Sequence, residues 1–259
     1  MKKKIAIIGC GNMGGAIAAS LPLDKYNVIG AVASEASAER LKEEILGVGF
    51  TTDNAWAAMD ADIVVLAVKP YIVDGVIEEI RSLLKPEALV LSVVAGRSIE
   101  SLRQQLDADN RSLTVMRVIP NTAIRLGKSV TFIAHGKAAS KADVDEAVGI
   151  FNLSGTAFVI PEKDMAACTA LASCGIAYFL RFIRAAAEGS VELGLRPGFA
   201  TKVAALTAEG AAALLADGAH PEVEIDKVTT PGGITIKGLN AREENGFTAA
   251  VIAALRASV

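Results

Sequence analysis

Hydrophobic and polar positions change rhythm along the chain. Up to about residue 160, short apolar runs alternate with helical stretches. The runs are Ile5–Ile8, Asn27–Val32, Ile63–Val68, Leu89–Val94, Thr114–Val118, Val130–Ala134 and Ala157–Ile160. Several are apolar at every position, which suits parallel strands covered by helices on both faces. The alternation predicts a doubly wound α/β sheet. Helix-start signals fall between the strands: Asp53 before Asn54, Ser98 before Ile99, and Ser140 three residues ahead of Asp143.

Past Pro161 the rhythm becomes helical and Ala-rich. One run spans Glu162 to Leu193, until Leu195-Arg196-Pro197-Gly198 breaks it. A second extends from Phe199 to about Ala216, and a loop follows at Asp217–Pro221. A Gly-Pro turn at Thr229–Gly233 precedes a helical pattern that continues to the last residue. This divides the chain into an α/β domain, residues 1–160, and an all-α domain, residues 161–259.

Composition raises the question of where the apolar surface goes. The chain of 259 residues is 52% hydrophobic, with a mean hydropathy of +0.41. That content excludes disorder. The charge-free stretch Met165–Leu180 is rich in small and polar residues and falls short of the ~20 apolar residues a bilayer span needs. Met1-Lys2-Lys3-Lys4 before a short apolar run reads as a lead-in to a buried strand, without the features of a signal peptide. The expectation is a cytoplasmic protein with no membrane partner. An Ala-, Leu- and Val-rich helical domain of this size cannot cover its own apolar faces, so oligomerisation is expected.

The net charge of −3, with no block of like charge, argues against a nucleic-acid surface. Three cysteines without a CxxC pattern suggest reduced thiols. Two histidines, far apart, are a poor basis for a zinc site or a His-based triad, so no metal is expected.

The first run leads into Gly9-Cys10-Gly11-Asn12-Met13-Gly14, and a helical pattern follows. This is GxGxxG in its strand–turn–helix setting, which points to a dinucleotide. Gly9 permits the tight turn, Gly11 lets the backbone approach a pyrophosphate, and Gly14 lets helix and strand pack closely. Cys10 reads as a small residue tolerated in the loop. The second strand ends Val32-Ala33-Ser34-Glu35. Ser34 suits a ribose 2′-phosphate and Glu35 suits a 2′-hydroxyl, while the nearest arginine is Arg40, so local chemistry leaves NAD and NADP open.

Three more segments complete a pattern: Leu66-Ala67-Val68-Lys69-Pro70, Arg117-Val118-Ile119-Pro120-Asn121-Thr122, and Asp226 through Leu239 with Thr230-Pro231-Gly232-Gly233-Ile234-Thr235 inside it. In this order and spacing, together with the glycine loop, they resemble pyrroline-5-carboxylate reductases over nearly the whole chain. The Thr-Pro-Gly-Gly-x-Thr segment is the most specific part.

The resemblance implies a Rossmann domain followed by a helical domain that interlocks two subunits. It implies a homodimer, with decamers as a further assembly, and NADPH as preferred cofactor, with NADH accepted by some members. The substrate would be a cyclic imino acid. By match to family positions, Ser34 and Asn54 lie near the 2′-phosphate. Ala67, Val68, Lys69 and Pro70 line the cofactor cleft, as do Ala95 and Gly96. The loop with Thr230, Gly232, Gly233, Ile234 and Thr235 holds the substrate carboxylate, with Lys69 a further candidate. Thr235 hydrogen-bonds the ring nitrogen.

Two segments depart from the family pattern. Its Pro-Asn-Thr-Pro is Pro120-Asn121-Thr122-Ala123 here. Its Ser-Gly-x-Gly-Pro-Ala-Tyr is Ala172-Ser173-Cys174-Gly175-Ile176-Ala177-Tyr178.

Imine reduction suits this inventory. The nicotinamide brings the hydride and a protonated C=N is already electrophilic, so the protein supplies mainly position. Alternative readings are a related imine reductase or a non-catalytic dinucleotide scaffold. A β-hydroxyacid dehydrogenase is disfavoured because Met165–Leu180, where that class generally needs its lysine, has none.

Overall fold

The computed structural model describes residues 2–106 and 113–259. Met1 of the basic lead-in falls outside them. Two compact units emerge, Met1–Thr169 and Ala170–Val259. The sequence pattern alone sets the division near residue 160.

The first unit is built on one eight-stranded sheet: β1 (Lys3–Ile8), β2 (Tyr26–Ala31), β3 (Gly49–Thr51), β4 (Ile63–Leu66), β5 (Leu89–Ser92), β6 (Thr114–Ile119), β7 (Ser129–His135) and β8 (Gly155–Val159). The strand order is β3-β2-β1-β4-β5-β6-β7-β8. The chain therefore winds outward from β1 in both directions, and the order reverses between β1 and β4. Strands β1 to β6 pair in parallel. Strand β7 is antiparallel to β6, and β8 is parallel to β7. The sheet is thus mixed at one side, where apolar runs alone suggest parallel strands throughout. Strand β3 is an addition to the seven apolar runs.

The apolar runs are explained by burial on both faces. Every residue of β4 and β5 is buried, as is Ile5–Ile8 of β1. Helices α1 (Asn12–Ser20), α2 (Glu35–Glu44), α3 (Asn54–Ala58), α4 (Val73–Ile80), α5 (Ile99–Leu106) and α6 (Lys141–Asn152) connect the strands. Their starts follow the capping signals. Asp53 accepts the Trp56 N–H at 2.9 Å, and Ser98 accepts the Ser101 N–H at 3.1 Å. Ser140 and Asp143 form a reciprocal capping box. Short turns and α7 (Met165–Thr169) close this unit.

The second unit is helical throughout its regular elements. It holds a π-helical turn at Ala170–Cys174, then α8 (Gly175–Glu192), α9 (Pro197–Ala213), α10 (Pro221–Lys227), α11 (Ile234–Glu244) and α12 (Phe247–Arg256). The break after α8 uses Gly194 at φ +95°. Pro197 then opens α9, where its missing N–H costs nothing. The π turn interrupts what the sequence pattern reads as one uniform helix. Helices α10, α11 and α12 bury no residue within the chain.

Candidate active site

The register aligns the carboxyl ends of the central strands. Ile8 lies beside Ala31 and Leu66, and Leu66 beside Ser92. The glycine loop, Ala67–Pro70 and the Val93–Ser98 loop therefore leave the same edge of the sheet. In open α/β sheets ligands bind outside these ends, where the strand order reverses. Here that place lies between β1 and β4.

The glycine loop is shaped by close approaches. Gly9 sits at φ +98°, and a Cβ there would be 2.8 Å from Val68 Cγ1 and 2.9 Å from the Ala67 carbonyl. At Gly14 a Cβ would run into the Gly9 carbonyl oxygen and press on Ala67 at 3.2 Å. Gly11 is different. Nothing lies within 4 Å of where its Cβ would be. Its side faces open space, as a backbone surface for an incoming phosphate should. Gly11 is the N-cap of α1 without a side-chain cap. The first-turn N–H groups of Asn12, Met13 and Gly14 have no intrahelical acceptor, and the first turn carries no acidic residue. These groups fit a pyrophosphate.

The side chains of the loop divide the work. Met13 packs against the core beneath the helix. Cys10 is 3% exposed, and its thiol approaches the Ile7 carbonyl at 3.6 Å. Its N–H donates to the Ala31 carbonyl at 2.8 Å, so Cys10 spends both groups on the fold. Burial pushes its thiol up to about 12, against the lowering a helix N-terminus gives an exposed thiol.

At the tip of β2, Ser34 is the N-cap of α2 and accepts the Ser37 N–H at 3.3 Å. The Ser34 and Ser37 hydroxyls are 3.0 Å apart. Glu35 is exposed, and its carboxylate accepts a hydrogen bond from the Thr52 hydroxyl at 2.7 Å. Arg40 is held by both oxygens of Glu44, at 2.8 and 2.9 Å. Asn54 opens α3 and donates to Glu79 at 2.8 Å. Lys69 and Pro70 are exposed just beyond β4, and Ala95 and Gly96 are exposed beyond β5, with Gly96 at φ +72°.

The Val93–Ser98 loop is braced by interactions that sequence reasoning missed. Arg97 pairs with Asp74 at 2.7 Å and donates to Gln105 at 2.9 Å. Glu162 accepts the Ile99 N–H at 2.8 Å and pairs with Arg117 at 3.1 Å. Arg117 belongs to the Arg117–Thr122 segment of the sequence pattern, which was the available signal. Its partner lies too far along the chain to be seen from spacing.

The Ala123 departure has a local compensation. Asn121, 4% exposed, caps the turn after β6 and accepts the Ala123 N–H at 3.1 Å. A proline at 123 has no N–H to give.

The candidate carboxylate loop lies in the second unit. Gly232 sits at φ +67°, and Gly233 is the N-cap of α11, with its N–H on the Thr230 carbonyl at 2.9 Å. A Cβ at Gly233 would lie 2.5 Å from Thr230 Oγ1. The first turn of α11 begins at Ile234 and contains Thr235, both exposed. Its free N–H groups and hydroxyl can hold a carboxylate and one further polar group. The structure thus groups the predicted residues into two sets, one in each unit.

A strand–glycine turn–helix cradle at the reversal point of an open α/β sheet defines a Rossmann-type dinucleotide-binding protein. Comparison with known families and structures takes this further. A family model described as pyrroline-5-carboxylate reductase dimerisation matches residues 162–259. One described as NADP oxidoreductase, coenzyme F420-dependent, matches residues 4–96. The chain is 39% identical to pyrroline-5-carboxylate reductase 1 of Dictyostelium discoideum, over 96% of this chain and 47% of that one. It therefore spans about half the length of that relative. It is 36% identical to pyrroline-5-carboxylate reductase of Methanosarcina acetivorans, over 99% of this chain and 96% of that one. Among solved structures, the Plasmodium falciparum pyrroline carboxylate reductase with NADP bound superposes with a TM-score of 0.85 at 26% identity, covering 99% and 95% of the two chains. The chain belongs to the pyrroline-5-carboxylate reductase family, whose members are NAD(P)-dependent oxidoreductases.

Proposed function

We propose that this chain reduces 1-pyrroline-5-carboxylate to L-proline with NADPH as the preferred reductant. The observation that carries the reading is the Thr230–Thr235 loop, left exposed at the start of α11 in a chain whose other unit holds a dinucleotide cradle. When bound, the nicotinamide supplies the hydride. The protein's part is binding and orientation. The Asn12–Gly14 N–H groups hold the pyrophosphate, and Ser34 and Asn54 lie toward the 2′-phosphate. The N–H groups opening α11 hold the substrate carboxylate, and the Thr235 hydroxyl accepts from the protonated ring nitrogen. The substrate arrives already activated as an iminium, so the reading calls for no metal and no strong general acid.

The helical stretch Glu162–Glu192 is long and apolar enough to cross a membrane, and 11% of its most apolar window is buried in the chain. We read it as subunit interface, because the dimerisation match covers residues 162–259. The assembly in this reading is a homodimer that associates further, up to a decamer. It works in the cytoplasm, away from nucleic acid.

The test is an assay of NADPH and NADH oxidation on adding 1-pyrroline-5-carboxylate. Turnover that is faster with NADPH supports the reading, and no turnover with either cofactor overturns it. Thr235→Ala should lower kcat/KM at least tenfold, the scale of one lost transition-state hydrogen bond, and leave cofactor affinity unchanged. An unaltered rate removes Thr235 from the mechanism.

A further inference from the structure

We propose that Thr52 is a specificity-determining residue that favours NADPH by holding the Glu35 carboxylate away from the ribose. The inference rests on the NADPH preference proposed above. An acidic residue about 20 positions beyond a glycine loop, at the end of the second strand, ordinarily binds the ribose diol of NAD and repels a 2′-phosphate. Glu35 stands just past that place, beyond the Ala31 end of β2 and directly after Ser34 at the start of α2. Its presence by itself argues for NADH.

The fold disposes of it through a neighbouring strand. Strands β2 and β3 run in parallel with Ala31 beside Thr51, and the Val32 N–H donates to the Thr51 carbonyl at 2.9 Å. The chain therefore leaves both strands on one edge, side by side. Thr52 is the first residue past β3, and its hydroxyl donates to Glu35 Oε1 at 2.7 Å. The residues on either side of Thr52 are held in place. The Asp53 N–H donates to Thr51 Oγ1 at 3.1 Å, and Asp53 caps α3 through the Trp56 N–H at 2.9 Å.

With Glu35 drawn toward β3, the tip of β2 presents the paired Ser34 and Ser37 hydroxyls. It also presents the N–H groups of Glu35 and Ala36 in the first turn of α2, which lack intrahelical acceptors. Arg40, the nearest arginine along the chain, is occupied by Glu44. Preference here comes from relieving a repulsion rather than adding a cation.

The experiment measures Kd for NADPH and for NADH by fluorescence titration of the full chain. Wild type should bind NADPH more tightly. Thr52→Val should lower the NADPH-to-NADH affinity ratio about fivefold, the scale of one exposed hydrogen bond to a charged group. Thr52→Ser, which keeps the hydroxyl, should restore the wild-type ratio. In a Glu35→Ala background, Thr52→Val should leave the ratio unchanged, because its route to the cofactor is gone. A merely structural role for Thr52 would shift both affinities together in either background. An unchanged ratio in Thr52→Val, with the wild-type preference intact, overturns the role of Thr52 alone. An equal shift with and without Glu35 overturns the route through Glu35. A wild-type chain that binds NADH more tightly overturns the NADPH reading and this inference with it.

Discussion

The two units solve the same problem of apolar excess in opposite ways. In the first, strands β4 and β5 and most of β1 disappear between two helical layers, and side chains such as Ile7, Leu66 and Leu91 have no exposure at all. In the second, large apolar side chains stay outside. Phe179 is 68% exposed, Leu206 56% and Leu193 86%. Only small residues such as Ala170, Ala187 and Ala200 are buried there. A sheet can close its own core because helices from the same chain cover both faces. A set of helices whose last three members bury nothing has a core that a single chain cannot complete. The first unit closes its core within the chain, and the second leaves apolar faces that suit the proposed association.

This contrast can be broken most directly from the second unit. Leu206→Asp or Phe179→Asp should leave the sheet intact and dissociate the oligomer. A two-fold interface counts each change twice. Losses of about 2 kcal/mol per subunit then weaken dimerisation about 10³-fold. Analytical ultracentrifugation at micromolar concentration checks this, and an oligomer that survives both changes contradicts the contrast. The complementary change lies in the sheet. Leu91→Ala should cost about 2–5 kcal/mol of unfolding free energy and leave the dimer dissociation constant unchanged, as denaturation and sedimentation together would show.

A smaller effect sharpens the comparison by pH. Asp62 lies at the amino end of β4, beside Lys4 of β1. Burial opposes its charge, but the Lys85 ammonium at 2.6 Å and the Lys4 N–H at 2.7 Å together hold its carboxyl below the usual range. A depressed folded value adds stability that is present above the ordinary carboxylate pKa of about 4. That stability is lost as pH falls through the folded value. With solvent screening, the contribution is about 0.5 kcal/mol. Asp62→Asn should flatten the acid limb of the stability curve by that amount. The oligomer's acid sensitivity should not change, because Asp62 belongs to the first unit.

The sheet was largely legible in the sequence because buried parallel strands are continuous apolar runs. Gly49-Phe50-Thr51 escaped because three residues carry no periodicity. The reversal of β7 escaped because strand direction is not encoded in hydrophobicity. The glycine loop was readable residue by residue, since Gly9 and Gly14 answer to steric demands within a few ångströms. The Thr230–Thr235 loop was different. Thr and Gly at a helix start are ordinary capping residues, and only the resemblance singles them out. Thr52 stayed invisible because its importance depends on β2 and β3 being neighbours.

The reversal of β7 has a consequence for modularity. Strand β8 does not return to the far side of the sheet. Val159 lies beside Ile133, which lies beside Val118, one residue past the Ser92–Arg117 pair that marks the end of β5. The Ile160 N–H then donates to the Ile133 carbonyl at 2.9 Å. The chain therefore leaves β8 level with the carboxyl ends of the central strands. A cut after residue 160 would still fall inside the first unit, because Glu162, which braces the Val93–Ser98 loop, and α7 come after it. The segment past β8 is therefore part of the Rossmann unit rather than a linker out of it.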